Sequence, residues 1–208
     1  MLVSNIFGIL MDLEDILKTR YATKLFDGRK IEKDKLDKLF NLIFLSPSSY
    51  NLQPWKIKVI EDQKTKEELL SVSFNQKQIT TCSHLLILCA DLDIEKNISK
   101  LEEKLLLILP RENVQKYIQV LKNFASSMDR NERLIWAQKQ VYILAQTILL
   151  VSKHLGFDSC PMEGFDPVAY SKILNLDNSL IPTLVIPIGY AADKPKPKIR
   201  LDRNDLIF

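Results

Sequence analysis

The sequence predicts an α+β domain. Two observations carry this: long helical stretches dominate, and three apolar strand-like segments lie far apart with no hairpin turn joining any two. A third narrows it. The 208 residues include only five glycines, at 8, 28, 156, 164 and 189. Neither G-x-G-x-x-G nor G-x-x-x-x-G-K can be written, so a nucleotide-like phosphate must be held by side chains rather than by a glycine-rich loop.

Asp12 precedes Leu13, Ile16 and Leu17 at helical spacing, which predicts a capped helix over 13–19. The basic, irregular segment Arg20-Tyr21-Ala22-Thr23-Lys24-Leu25-Phe26 follows. Leu36, Leu39, Phe40, Ile43 and Phe44 form one stripe over 32–45, an amphipathic helix. It must stop at Ser46-Pro47, because the residue before proline is driven out of the α region. Ser46 to Pro54 is a polar loop. Ile57 and Val59 alternate with Lys56 and Lys58 across Trp55–Glu61, a half-buried strand. A short helix around 64–72 and the loop Phe74–Gln78 come next. Residues 84–91 are apolar on both faces, which suits a central strand.

Polar-faced helical segments fill 95–127 with a break near Pro110. Asp129 with Glu132 reads as a capping box opening a long helix that ends at Gly156. Val141, Ile143, Leu144, Ile148, Leu149, Leu150 and Val151 cover nearly its whole circumference. Such a helix is expected to be buried all round, in a core or a subunit interface. A short helix is expected over 167–174. The strand 181–189 carries Pro182 and Pro187, which favour an edge position. The tail Lys194–Arg200 reads as stiff, extended and basic.

The apolar fraction of 46% and charged fraction of 26% are ordinary globular values. A formal charge of +3, from 29 basic and 26 acidic residues, is too small to argue for nucleic acid. Three cysteines without C-x-x-C spacing argue against a disulfide framework and fit a reducing cytoplasm. Cys82, His84 and Cys89 lack a second ligand pair for zinc and read as core. Residues 1–10 are apolar but lack a basic flank and run into acidic residues. They read as an extension ahead of Met11 rather than a signal peptide, leaving a single domain over 11–208. The longest apolar run, Val141–Val151, is well short of the ~20 residues a bilayer requires.

Four islands are polar where the pattern does not require it. Arg20 with Lys24, and Lys198 with Arg200, place cations close together on irregular or extended backbone, where they suit an anion such as phosphate. Ser46-Pro47-Ser48-Ser49-Tyr50-Asn51-Leu52-Gln53-Pro54-Trp55 is stiffened by two prolines. It is rich in hydroxyl and amide groups that suit the edge of a flat heterocycle. Cys160-Pro161-Met162-Glu163-Gly164-Phe165-Asp166 contains a glycine that lets the backbone approach a ligand. No H-E-x-x-H or G-x-S-x-G signature appears.

These islands, in this order, resemble the FMN-dependent nitroreductase family, including its oxygen-insensitive NAD(P)H nitroreductases and dihydropteridine reductases. The matches are R-Y-A-T-K at Arg20–Lys24, S-P-S-S-Y-N-L-Q-P-W at Ser46–Trp55, F-N-Q-K at Phe74–Lys77, P-M-E-G-F-D at Pro161–Asp166 and K-x-R at Lys198–Arg200. The likeness runs from about Leu13 to the C-terminus. It implies a central, mostly antiparallel mixed sheet flanked by helices, in a cytoplasmic homodimer with the long helix at its core and FMN at the interface.

By that resemblance, Arg20, Lys198 and Arg200 grip the 5′-phosphate, with Tyr21 and Ala22 alongside, and Lys24 and Asn75 meet the pyrimidine edge. Pro47, Ser48, Ser49 and Asn51 reach across from the second subunit. Pro161, Met162, Glu163 and Gly164 face the ring, with backbone N–H groups near Glu163 and Gly164 toward N5 and O4. Tyr50 and Phe124 line the open face where nicotinamide and substrate alternate, beside Lys24 and Asn75. The activity implied is a ping-pong hydride transfer from NAD(P)H to nitroaromatics, quinones or similar flat acceptors. The flavin carries the chemistry and no side chain need act as acid or base. Two positions depart from the family pattern: Ala22 replaces a hydroxyl, and Gln78 stands where F-N-x-x-K has its lysine. A flavin-binding protein without turnover, or a relative reducing dihydropteridine or flavin, are the alternative readings.

Overall fold

Helix α1 (Leu13–Thr19) begins where the Asp12 carboxylate accepts from the Asp15 N–H, as its sequence predicts. The structure is a computed structural model and describes residues 11–207; the expected extension over residues 1–10 and Phe208 lie outside the described residues. Then follow α2 (Lys33–Ile43), β1 (Trp55–Ile60), α3 (Gln63–Ser71), α4 (Gln78–Thr81) and β2 (His84–Asp91). The chain continues through α5 (Ile94–Leu105), α6 (Arg111–Ser126), α7 (Arg130–His154), β3 (Asp158–Ser159), α8 (Pro167–Ile173), β4 (Leu180–Gly189) and α9 (Arg203–Leu206).

The four strands form one antiparallel sheet in the order β1-β2-β4-β3. Strand β2 is central and wholly buried, as its two apolar faces require. Its side chains alternate. Leu86, Leu88 and Ala90 pack against α2 and α7 with Leu39, Val141, Leu144 and Ile148. Leu85, Ile87 and Cys89 pack on the other face with Leu69, Ile79, Met162 and Tyr170. A third cluster closes α5 on α6 through Ile94, Ile98, Val114, Ile118 and Leu121, and buries Leu52 of the polar loop beneath them.

Two expectations change. Strand β4 is not an edge strand: β2 lines one flank and β3 the other. Its prolines are tolerated because β3 pairs only with Ile188 and Gly189, past Pro187. A register shift between Leu88 and Cys89 also relaxes the ladder beside Pro182. Helix α7 has its full capping box, with Asp129 and Glu132 exchanging hydrogen bonds. Within one chain, however, only one face of α7 is buried. Tyr142 and Ile143 remain 43% and 40% exposed.

Candidate functional site

The segment 20–26 is held against the sheet rather than lying free. Ala22 bridges Ser159 and Phe26 bridges Ala191. Asp193 accepts from the Tyr21 hydroxyl (2.9 Å) and from the Lys24 N–H (2.8 Å). Burial and Asp193 push the Tyr21 phenol up to about 12, so it stays protonated and donates to Asp193. This lacing carries Lys24 to Cys160, with Nζ 3.4 Å from Sγ. Burial nonetheless keeps the Cys160 thiol above its ordinary pKa, against the pull of Lys24 and Arg20.

Arg20 closes α1 as its C-cap, and the C-terminal tail returns to it. The Lys198 ammonium donates to the Leu17 carbonyl on that same helix. Burial first, and then the nearby Arg200, holds the Arg20 guanidinium below its ordinary pKa. Lys198 is lowered by burial, Arg20 and Arg200. Three cations from opposite chain ends thus repel one another in one place, and the buried Arg20 Nε has no hydrogen-bond partner. A cluster of this kind is completed by an anion.

Beside it, two loops fit together. Phe74 and Asn75 adopt left-handed backbone conformations, φ 54° and 55°, and both are exposed. Gln76 Nε2 donates to the Gly164 carbonyl at 2.8 Å, tying this loop to the 161–164 turn. A Cβ on Gly164 would stand 3.1 Å from that same nitrogen and 3.5 Å from the Phe74 ring, which accounts for the glycine. Among the described residues, the N–H groups of Glu163 and Gly164 have no backbone or side-chain acceptor. They are free donors on a part-exposed turn.

Two predicted residues are not brought to this surface. Met162 is spent on the scaffold: its N–H and C=O both pair with Val185, and its side chain lies in the core. Gln78 is buried at the start of α4 and its amide donates to Gln76 Oε1 at 3.1 Å. It supports the loop from behind, because α4 turns that position inward.

The 46–54 loop is strained and braced. Tyr50, Asn51 and Gln53 all have positive φ, at 55°, 54° and 46°, a conformation costing about 1–3 kcal/mol each for non-glycine residues. The braces come from three helices. Gln140 Oε1 of α7 accepts from the Ser49 N–H (2.9 Å), and the Tyr117 hydroxyl of α6 donates to the Tyr50 carbonyl (3.1 Å). Asn97 of α5 donates to Leu52 and Gln53. The Tyr50 ring packs on Phe124 at 4.7 Å, and Phe124 on Trp136 at 5.3 Å. Pro47 and Asn51 are exposed, and Ser48 and Ser49 part-buried. Among the described residues no hydrogen bond or ion pair links this loop to Arg20, Lys24, Lys198 or Arg200.

A hollow of about 410 Å³ lies between α7 and the 161–164 turn, lined by Tyr142, Ala145, Gln146, Leu149, Pro161, Glu163 and Leu184. A larger one, about 650 Å³, lies between α2, the outer edge of β1 and α5. Sequence reasoning missed Tyr142, Gln140, Trp136, Tyr117 and Asp193. Gln140 was visible as a polar interruption of an apolar helix; Asp193 gave no signal.

Residues 17–190 match the Nitroreductase family. A Staphylococcus haemolyticus protein named "Putative NAD(P)H nitroreductase SH0546" is 32% identical, the alignment covering 90% of this chain and 92% of that one. A Thermus thermophilus protein named "NADH dehydrogenase" is 31% identical over 96% of both chains. A crystal structure from Exiguobacterium sibiricum, solved in complex with FMN, superposes with a TM-score of 0.89 at 22% identity, covering 95% of this chain and 97% of that one.

Proposed function

The chain belongs to the Nitroreductase family, and from that premise we propose that it is an FMN-dependent oxidoreductase that oxidises NAD(P)H and reduces flat acceptors such as nitroaromatics and quinones. The observation that carries this is the convergence of Arg20, Lys198 and Arg200 around a buried, unpartnered guanidinium nitrogen. The residues fit the cofactor. A dianionic phosphate relieves the repulsion, and the free N–H groups of Glu163 and Gly164 suit the acceptor edge of a flavin.

When bound, the flavin supplies the two-electron chemistry between nicotinamide and acceptor. The chain's own residues bind and orient. Arg20, Lys198 and Arg200 hold the phosphate, while Lys24 and Asn75 meet the pyrimidine edge, where positive charge favours the reduced state. Pro161 would contact the ring alongside the Glu163–Gly164 turn. Tyr50 packs on Phe124, and Phe124 sits edge-on to Trp136, so that the pair forms an apolar wall for a planar substrate.

The second half-site comes from a second copy of the chain. Pro47, Ser48, Ser49 and Asn51 have no link to the cations of their own chain, so a homodimer unites them. The open face of α7 and an exposed apolar arm support this reading. Ile199 and Leu201 are 86% and 70% exposed, apolar side chains that a second copy would cover. A cytoplasmic setting fits three buried, unpaired cysteines.

The test is the visible spectrum of the purified protein after reconstitution with FMN, followed by NAD(P)H oxidation with a quinone present and by sedimentation. A yellow dimer that turns over is expected. A colourless protein refutes the assignment, and a yellow protein without turnover restricts it to flavin binding.

A further inference from the structure

Tyr142 hydrogen-bonds Glu163 at the rim of the 410 Å³ hollow, the phenol donating to Oε1 at 2.5 Å. Among the described residues this is the only hydrogen bond to that carboxylate, and no ion pair reaches it. The turn that carries Glu163 is tied on its far side, where the Gly164 carbonyl accepts from Gln76 Nε2 and the Asp166 N–H donates to Val72; on the α7 side Tyr142 is its tether. Its ladder ends at Met162, and the next backbone bond, Phe165 N–H to the Glu163 carbonyl, is local. The free N–H groups of Glu163 and Gly164 sit on this short span. The Tyr142 bond thus adds a tether on the α7 side of the span that carries those donors, opposite the one Gln76 supplies.

We propose that Tyr142 is a positioning residue that acts through Glu163: it pins the turn so that its N–H groups stay directed at the bound ring, and it draws charge out of a carboxylate that stands beside that ring. The inference rests on the flavin reading above. The phenol suits the task because it is a committed donor. Burial, then Glu163, pushes its pKa up to about 12, so it does not ionise near neutrality. Helix α7 is rigid and anchored in the main core through Val141, Leu144 and Ala145, so its exposed Tyr142 is held at a fixed distance from the turn.

The consequence is a difference between two states of the ring. Oxidised flavin is neutral at its ring and feels a neighbouring carboxylate weakly. The reduced ring carries negative charge and is repelled by it. Removing the phenol donor thus weakens binding of reduced flavin more than oxidised flavin, and the midpoint potential falls. The ordinary alternative is a surface hydrogen bond with no effect on the site.

The experiment compares FMN-loaded wild type, Tyr142→Phe, Glu163→Gln and the double variant by reductive titration against a reference dye, with FMN affinity read from fluorescence quenching. Tyr142→Phe is expected to bind oxidised FMN within about twofold of wild type, and to bind reduced FMN about five- to tenfold more weakly, the scale of one ordinary hydrogen bond, because the effect reaches the ring only through the carboxylate. Its potential becomes correspondingly more negative. Glu163→Gln shifts the other way, and the double variant matches Glu163→Gln. Thermal melting of the flavin-free Tyr142→Phe protein close to wild type shows that its fold is intact. An unchanged potential in Tyr142→Phe, or the same shift persisting without the Glu163 carboxylate, overturns the proposal while the flavin reading stands. Failure of the wild type to bind FMN overturns both.

Discussion

Arg20→Gln separates a binding role from a structural one, because the two give opposite signs. In the free protein, Arg20 is repelled by Arg200 and Lys198 and its Nε bonds to nothing. Replacing it with a neutral amide relieves that repulsion, so the flavin-free protein is expected to melt at the same temperature or slightly higher. Bound phosphate reverses the balance. A hydrogen bond from a guanidinium to an anion contributes about 1.5–3 kcal/mol, so the dissociation constant for FMN rises by about 10- to 150-fold.

Thermal shift reads the same quantity. FMN at 100 times the wild-type dissociation constant stabilises wild type by about 2.7 kcal/mol. For a chain of this size that is about 5–11 °C. At the same concentration the variant retains only about 0.3–1.4 kcal/mol. Quenching titrations and melts with and without FMN test both halves. Affinity within about twofold of wild type, or a fall of several degrees in the flavin-free melt with affinity unchanged, would refute the reasoning.

Gln140→Leu leaves the Ser49 N–H without its acceptor and releases a strained loop; a loss of about 1–3 kcal/mol in a urea titration and a raised KM for the acceptor are expected. Gly189→Ala places a Cβ 3.0 Å from both the Phe26 ring and the Ser83 backbone nitrogen, so a destabilisation of about 1–3 kcal/mol is expected, and an unchanged melt refutes it. His84 is buried, shares a hydrogen bond between Nδ1 and Ser83 Oγ, and faces Glu61, Lys30 and Lys66. Burial holds its pKa below 6.5 against the opposing pull of Glu61, with Lys30 and Lys66 adding to the lowering. The unfolded chain therefore takes up the proton first. The stability contributed is complete above pH 6.5 and is lost as pH falls through the folded value. Urea midpoints from about pH 8 to pH 5 are expected to decline, and to decline less steeply in His84→Gln; parallel slopes count against it.

Helix limits were legible because their signals are local. Asp12, the Asp129–Glu132 box, Pro47 and Pro110 each act within a turn of their own position, and the structure puts the boundaries there. The burial of β2 was legible from its unbroken apolar run, and the motif islands from residue types alone. The position of β4 was not, since proline marks a missing donor but not how far a neighbouring strand extends. Nor was the inward turn of Gln78, which depends on the four-residue helix α4 rather than on the motif it interrupts.

Residue order and spacing by themselves determined the helices, the central strand, the α+β class and which polar islands were out of place in a core pattern. Only tertiary structure decided that Arg20 meets Lys198 and Arg200, that Tyr142 reaches Glu163, and that Gln140 of α7 braces the Ser46–Pro54 loop at Ser49. Caps and periodicity are set by contacts a few residues long. Pairs that distant in the chain are set by how whole elements pack, which no spacing within the sequence encodes.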